Sequence, residues 1–359
     1  MRLTLAAPAA DGADGHILVA MDGGKFTHSA GAPDVTLPEG WKLTPGLVDL
    51  QVNGIDDVFP LEDPSRLPDL DALLAARGVA RYLVAAPTAD PAAVHDLARA
   101  AAEFTAGGDT GCAGLHLEGP VLSPAHAGAH PIEHLRNGDD AQARALLDLP
   151  GVRLVTLAPE VQGGLAYAAE ATARGIAVAA GHTGMSAAQA NEAIARGITL
   201  ATHIFNAMTP IHQRAPGCAL VYLLHPGARP TFIADGVHLA DELVELILRL
   251  AGDRAILVSD AAPSTGVQRA RPNDGRLAGS EAGLFDGVCR LVHTHGLSHA
   301  QAAHLASGHP ANVLGNPHPG VFAPGASADL TIVDSSCDPV GTIRNGEFVY
   351  QTPECAALF

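Results

Sequence analysis

The feature that most constrains the fold is a unit that recurs eight times along the chain. In each unit a short β-rich run ends in polar, Gly or Pro residues, and a helix-like stretch such as "SAAQANEAIARG" or "ADELVELILRLAG" follows. This alternation predicts parallel strands joined by crossover helices. The eight runs span residues 46–54, 80–88, 113–120, 152–160, 176–183, 200–207, 229–237 and 255–262.

Eight such units predict an α/β fold, a (β/α)8 TIM-like barrel that we assign to residues 46–318. A doubly wound open sheet is the alternative, but it usually has fewer strands, and no G-x-G-x-x-G follows the first run. The flanks, 1–45 and 319–359, contain short β-like pieces and turns, and neither is long enough to bury a core alone. We therefore expect both ends to pair into one small β-sandwich beside the barrel.

Composition excludes several classes of partner. The net charge is −17 and the chain has two lysines, so no basic stripe exists to bind nucleic acid. An anionic small substrate would need a local cluster of Arg, His and backbone N–H groups. No apolar run reaches membrane-spanning length and no signal peptide is visible, which predicts a soluble cytoplasmic protein with no membrane partner. The five cysteines, an odd number without C-x-x-C, do not indicate a disulfide framework or a zinc ribbon.

Polar side chains gather where the predicted strands end, which is where such barrels place their chemistry. One Glu and two His at three of these ends (Glu118, His182 and His203) match a catalytic metal site, with three protein ligands and one position open for water. The metal would lower the pKa of that water to about 7, and Asp260 could take its proton. Taken alone, Glu118 could instead lie on a solvated rim, and Asp260 could cap a helix.

At these residues the sequence resembles the amidohydrolase superfamily, and within it the N-acetylglucosamine-6-phosphate deacetylases. The resemblance covers nearly the whole chain. Its motifs include "PGLVDLQVNG" (45–54), "HLEGP" (116–120), "GAH" (128–130), "ATHIFNAM" (201–208), "IADGVH" (233–238) and "SGHPANVLG" (307–315).

The resemblance implies metal ligation by Glu118, His182 and His203, with Asp260 as the catalytic acid/base. It also implies that His130 is catalytic and contacts the acetamido group. A homodimer is implied as well, because in the family an arginine can reach the neighbouring subunit's site. The implied substrate-binding residues are Ala129, His130, Asn206, Ala207, Arg214, His238, Leu277, Ala278 and Gly279.

The number of metal ions can be argued from one motif. Many superfamily members carry His-x-His after the first strand and bind a second ion there, whereas this chain has Gln51 and Asn53. Amides are poor zinc ligands compared with imidazole. We therefore expect Gln51 and Asn53 to be the remnant of the second metal position. We expect one divalent metal per subunit, with zinc as the first choice and iron, manganese or cobalt as alternatives.

The expected reaction is metal-dependent hydrolysis of N-acetylglucosamine 6-phosphate to glucosamine 6-phosphate and acetate. Ala127 stands where the family often has lysine, Ser259 replaces the usual threonine, and only 16 residues separate Asp260 from Leu277. These departures leave the substrate open. The alternatives are deacetylation of N-acetylgalactosamine 6-phosphate or of an unphosphorylated N-acyl compound, and, in another class, a non-catalytic sugar-phosphate sensor.

Overall fold

The eight predicted units form a barrel of eight parallel strands that follow one another in chain order. The computed structural model describes residues 2–8, 16–28, 32–264, 277–315 and 322–359. The strands are β1 (Leu3–Pro8), β2 (His16–Asp22), β3 (Lys25–Thr27), β4 (Val35–Thr36), β5 (Lys42–Pro45), β6 (Leu47–Val52), β7 (Val79–Pro87), β8 (Cys112–Glu118), β9 (Val152–Leu157), β10 (Ala177–Ala180), β11 (Leu200–Ala201), β12 (Arg229–Phe232), β13 (Ile256–Leu257), β14 (Leu330–Val333), β15 (Pro339–Arg344) and β16 (Glu347–Gln351). The α-helices are α1 (Leu67–Ala76), α2 (Pro91–Ala106), α3 (Ala141–Leu146), α4 (Gly164–Ala173), α5 (Ala187–Ala195), α6 (Gly217–Leu224), α7 (Asp241–Leu250), α8 (Leu284–His293), α9 (His299–Leu305), α10 (Gly308–Val313) and α11 (Pro353–Ala356). Strands β6 to β13 make the barrel, so the predicted fold class is confirmed.

The barrel closes between β6 and the segment that follows β13. Val52 and Ala261 form a parallel bridge, and the Asn53 N–H donates to the Ala261 carbonyl at 2.8 Å. The Ser259 N–H donates to Asp49 Oδ1 at 3.2 Å. Closure therefore brings the residues after the first and last barrel strands side by side.

Barrel strands are buried on both faces, by helices outside and by side chains inside, which explains their nearly continuous apolar runs. All six residues of β6 are buried, including Asp49 and Gln51. One cluster takes residues from or next to most barrel strands and Ala311 from α10, as expected of side chains that fill a barrel interior. Packing of this apolar core therefore does not explain the polar side chains at the carboxyl ends of the barrel strands.

The helices begin where the sequence supplies caps. Ser186 accepts from the Gln189 N–H, and the Gln189 side chain accepts from the Ser186 N–H, a capping box that starts α5. Asp90 caps α2 with Pro91 at its first position. In α7, which forms from the helix-like stretch "ADELVELILRLAG", Val244 and Ile247 are buried.

Two barrel strands are far shorter than the predicted β-rich runs. The run 200–207 contains only the two residues of β11, and the run 255–262 only the two of β13. The chain leaves the extended conformation because His203 (φ 28°) and Asp260 (φ 49°) lie in the left-handed region. These polar residues therefore sit on turns above the strands.

Both chain ends build the second part of the fold, as predicted. One sheet has the order β3-β2-β1-β4 and the other β16-β15-β14-β5. Strand β5 from the N-terminal flank pairs antiparallel with β14 from the C-terminal flank. Residues of both sheets, such as Leu5, Met21, Leu330 and Ile343, share one apolar core, which is the arrangement of a β-sandwich.

The division of the chain at residue 45 stays a prediction, and the boundary at 318/319 lies outside the described residues. So do positions 265–276, which form most of the short segment between Asp260 and Leu277. Among the helices of the described residues, none combines the length and the apolar character needed to cross a bilayer.

His116 belongs to a buried hydrogen-bond chain across the barrel. Its Nδ1 lies 3.0 Å from the Leu50 carbonyl, which can only accept, so Nδ1 carries the proton. Its Nε2 then accepts from Thr156 Oγ1 at 2.8 Å, and Thr156 Oγ1 accepts from Thr202 Oγ1 at 2.6 Å. Both ring nitrogens are engaged in hydrogen bonds, so His116 fills the barrel interior beneath the cavity and links neighbouring strands.

Burial lowers the pKa of His116 to about 4, so the folded protein holds it neutral while the unfolded chain protonates it near the ordinary value of 6.5. Between pH 6.5 and 4 the unfolded state binds the extra proton, and stability falls as the pH falls. We predict that His116→Gln reduces this slope by up to about 1.4 kcal/mol per pH unit. Urea unfolding at several pH values measures it. The exposed His95→Gln is the control, and equal slopes for wild type and His116→Gln would refute the prediction.

Candidate active site

A cavity of about 630 Å³ opens at the carboxyl ends of the barrel strands. Polar residues from the ends of several strands meet in it, as the strand-end pattern predicts. It is lined by Asn53, Phe59, Pro87, Thr88, Glu118, Ala125, His126, Gly128, Ala129, His130, Pro131, His182, His203, Asn206, Ala207, His238, Asp260, Ala262, Leu277, Ala278 and Gly279.

The carboxylate of Glu118, the last residue of β8, lies where several nitrogen atoms converge. Its Oε1 is 3.0 Å from His203 Nε2, 3.3 Å from His182 Nε2 and 2.9 Å from Gln51 Nε2. Its Oε2 is 3.5 Å from His130 Nε2. One buried acid from one strand thus gathers side chains from three other strands and a loop.

The turn after Glu118 requires glycine. Gly119 has φ 96°, and a Cβ at this position would collide with Thr88 Oγ1. The Thr88 hydroxyl in turn donates to the Glu118 carbonyl at 3.0 Å. This close packing ends β8 and leaves the Glu118 side chain facing the cavity.

Backbone strain marks the same place. His182, His203 and Asp260 all have positive φ, at 48°, 28° and 49°. Such conformations cost free energy for residues other than glycine and cluster at functional sites. Neighbouring groups hold them: for example, the His203 N–H donates to Thr231 Oγ1 at 2.7 Å.

His182 and His130, which both lie beside Glu118, carry their protons on different ring nitrogens. His182 Nδ1 lies 3.0 Å from the His126 carbonyl and must donate to it, which leaves the lone pair on Nε2. His130 Nδ1 instead accepts the Thr88 backbone N–H at 3.1 Å. Neutral His130 therefore carries its proton on Nε2 and presents a donor, whereas His182 presents an acceptor.

This cluster could hold a metal ion. Among the residues that the structure describes, Glu118, His130 and His182 offer ligand atoms that all lie within 4.8 Å of one another. The sequence-based set has His203 in place of His130, and His203 Nε2 is the nearer of the two to Glu118. His203 Nδ1 is buried without a hydrogen-bond partner among the described residues.

Electrostatics of the cluster follow from burial and proximity. Burial disfavours the Glu118 carboxylate, but hydrogen bonds from neighbouring imidazoles, that of His130 first, outweigh it and hold the pKa of Glu118 well below its ordinary value. Burial lowers the pKa of His182 to about 4. For His203 burial is outweighed by the contact with Glu118, and its pKa is raised.

Asp260 faces the same cavity from the turn after β13. Its Oδ1 accepts from Asn53 Nδ2 at 2.9 Å. Burial, followed by the negative charge of Glu118, raises the pKa of Asp260 to about 6. A carboxyl group with such a pKa can both accept and donate a proton near neutrality.

His238 is oriented by Asp235, whose role the sequence reasoning missed. Asp235 Oδ2 accepts from His238 Nδ1 at 2.8 Å and from Ser280 Oγ at 2.7 Å, so it ties His238 to the segment that ends the cavity wall. The Val237 and His238 N–H groups donate to its Oδ1. The i, i+3 spacing of Asp235 and His238 in "IADGVH" was a usable signal, whereas nothing in the sequence pointed to the Thr88 N–H.

The remaining predicted residues divide into those inside the cavity and those outside it. Ala129, Asn206, Ala207, Leu277, Ala278 and Gly279 line it. Gln51 does not line it but reaches Glu118 through its amide. Arg214 is exposed and does not line it.

The sequence matches the amidohydrolase family over residues 43–356. The chain belongs to this family. It is 34% identical to the N-acetylglucosamine-6-phosphate deacetylase of Homo sapiens, over 86% of this chain and 83% of that protein. It is 30% identical to the N-acetylgalactosamine-6-phosphate deacetylase of Escherichia coli O157:H7, over 84% of this chain and 86% of that protein.

Among solved structures, this amidohydrolase is similar to N-acetyl-D-glucosamine-6-phosphate deacetylase from Mycobacterium smegmatis, a mutant in complex with N-acetyl-D-glucosamine-6-phosphate. The TM-score is 0.88 at 29% identity, covering 98% of this chain and 100% of that one. The family resemblance stated from the motifs is therefore confirmed, and the protein is a hydrolase.

Proposed function

We propose that this amidohydrolase removes the acetyl group of N-acetylglucosamine 6-phosphate, giving glucosamine 6-phosphate and acetate. The observation that carries the proposal is the convergence, on one cavity, of a Glu/His cluster suited to a metal, the carboxyl of Asp260 and the N–H of His130. Relatives named for this activity, similar over most of their length, support it.

The cluster fits one divalent ion, held by Glu118, His182 and His203. A carboxylate and imidazoles are suitable ligands for zinc, and for iron, manganese or cobalt. His130 is the weaker ligand because its Nε2 carries the proton. When bound, the ion would act as a Lewis acid and make hydroxide available at neutral pH.

The amides of Gln51 and Asn53 argue for a single ion. Both use their NH2 groups as donors, Gln51 to Glu118 and Asn53 to Asp260. An amide nitrogen engaged in this way orients an acid and offers no ligand atom. The residues at the remnant second metal position, Gln51 and Asn53, would thus orient the carboxyl groups of Glu118 and Asp260.

Asp260 would accept a proton from the attacking water and deliver it to the departing sugar nitrogen. Asn53 holds its carboxyl group in place through Oδ1. His130 would donate from Nε2 to the acyl oxygen and stabilise its developing negative charge. The Thr88 N–H fixes the tautomer of His130 that this requires.

The proposed substrate contacts occupy different parts of the wall. Ala129, Leu277, Ala278 and Gly279 would surround the acetyl group, and Asn206, Ala207 and His238 would contact the sugar phosphate. None of the described lining residues is Lys or Arg. Since a phosphate needs charge-assisted donors, we infer that Arg214 supplies one to the neighbouring subunit's site in a homodimer. The homodimer and the cytoplasmic location stay predictions.

One second candidate has a specific observation in its favour. The 30% identical Escherichia coli relative is named for N-acetylgalactosamine 6-phosphate. The two hexosamines differ only at one hydroxyl. Acetate release from both epimers, with and without a chelator, distinguishes them. We expect chelator-sensitive turnover that is faster with the gluco epimer; faster release from the galacto epimer would replace the proposed substrate.

We predict about one tightly bound metal per chain in the wild type and in His130→Asn, and loss of that ion in Glu118→Gln and His203→Asn. Metal content after dialysis, measured by elemental mass spectrometry with circular dichroism as the folding control, checks this. Two tight equivalents per wild-type chain, or an ion lost from His130→Asn and kept by His203→Asn, would contradict the ligand set.

We predict that Asp260→Asn keeps the metal and binds substrate but loses turnover by a factor on the order of 10² to 10⁴, because the amide cannot carry the proton. Steady-state kinetics and calorimetric binding of the substrate measure the two effects. A kcat close to that of the wild type would remove Asp260 from the mechanism.

We predict that Arg214→Ala lowers kcat/KM for the phosphorylated substrate about 10- to 150-fold, as expected when a hydrogen bond to a charged group worth about 1.5–3 kcal/mol is lost. Turnover of unphosphorylated N-acetylglucosamine should change little. The exposed Arg99→Ala is the matched control. Equal effects on both substrates would show that Arg214 does not bind the phosphate.

A further inference from the structure

Two cysteines meet at the contact between the barrel and the terminal sheets. Cys289 lies on α8 and Cys337 on the turn between β14 and β15. Their Sγ atoms are 2.8 Å apart, and Cys289 Sγ also lies 3.2 Å from the Cys337 carbonyl. Both are free thiols, and both pack against the barrel core. Residues far apart in the sequence thus bring two sulfurs into direct contact.

The turn that carries Cys337 is closely held. The Asp334 carboxylate accepts the N–H groups of Ser336 and Asp338, and the Cys337 N–H donates to the Asp334 carbonyl at 3.2 Å. Cys337 itself has φ 74°, a conformation unfavourable for a residue with a side chain. The turn therefore holds Cys337 in a strained backbone conformation that directs its side chain towards Cys289.

The two thiols are not equivalent. The hydrogen bond from Cys289 stabilises the Cys337 thiolate; although burial opposes it, this bond and the nearby His299 together lower the pKa of Cys337 to about 4. The pKa of Cys289 is raised by the same contact. By contrast, burial raises the pKa of Cys112 and Cys218, which have no second cysteine beside them. A thiolate next to a second thiol is the arrangement of redox-sensitive cysteine pairs.

We propose that Cys289 and Cys337 are a redox modification site that forms a reversible disulfide with peroxides. The Cys337 thiolate attacks one oxygen of hydrogen peroxide, breaks the O–O bond and becomes a sulfenic acid, with hydroxide leaving. The Cys289 sulfur then displaces the sulfenic hydroxyl and the S–S bond forms; the hydroxyl leaves as water with the Cys289 proton, and the proton lost from Cys337 turns the released hydroxide into the second water. Two thiols are oxidised and one peroxide is reduced to two waters. A dithiol reverses the reaction by exchange.

The bond would join the barrel to the terminal sheets. Helix α8 begins shortly after Ser280, at the end of the cavity wall, and Cys337 follows the strand that pairs with β5. A cross-link between segments so distant in sequence restricts the unfolded chain and raises resistance to denaturant. Neither cysteine lines the cavity, so the site is separate from the proposed catalytic groups.

The test is a peroxide titration of the reduced full-length protein. Intact mass is recorded, the remaining thiols are alkylated with N-ethylmaleimide under denaturing conditions, and peptides are mapped. We expect the loss of two hydrogen atoms, three alkylated cysteines out of five, a peptide that links Cys289 to Cys337, and full recovery with dithiothreitol. The oxidised protein should also show a higher urea midpoint.

Three variants make the result specific. Cys289→Ser should form no cross-link and let Cys337 proceed to sulfinic acid, and Cys337→Ser should lose the reaction. Cys218→Ser, the matched control at a buried thiol, should cross-link like the wild type. Five alkylated thiols after peroxide, a bond between other cysteines, or an unchanged midpoint in a cross-linked protein would overturn the proposal.

Discussion

The buried carboxylate of Glu118 is the group on which the site depends. An ionised carboxylate removed from water costs several kcal/mol unless N–H groups or a cation compensate it. Here the compensation comes from N–H groups of Gln51, His203 and His130, which belong to other strands and to a loop. The site can therefore exist only when the barrel has closed, and disrupting closure would leave an unpaired charge at its mouth.

The groups behind the cavity decide what each side chain can do. The same imidazole group is an acceptor at His182 and a donor at His130 because one Nδ1 meets a carbonyl and the other meets the Thr88 N–H. Asp235 similarly orients His238 and ties it to the cavity wall. These backbone and carboxylate contacts convert a collection of histidines into a set with distinct proposed roles.

Much of the fold was predictable because its signals are local. Each β-rich run ends at polar or Gly/Pro residues, so eight strands and the polar groups after them could be placed, including Glu118, His203 and Asp260. The family resemblance added the wall residues. Local signals failed where a contact joins distant segments: the sequence did not indicate the Thr88 N–H, the closeness of Cys289 to Cys337, or the absence of Arg214 from its own chain's cavity wall.

By itself the sequence determined the number and order of the barrel strands, the union of the two chain ends and the residue types at the strand ends, because these follow from hydrophobic periodicity and chain punctuation over a few residues. Only the tertiary structure decided which nitrogen of each histidine faces Glu118 and that both ring nitrogens of His116 are engaged in a hydrogen-bond chain. It also decided that the amides of Gln51 and Asn53 donate to Glu118 and Asp260. Those outcomes depend on distances and directions between residues brought together by barrel closure, and no pattern along one strand contains them.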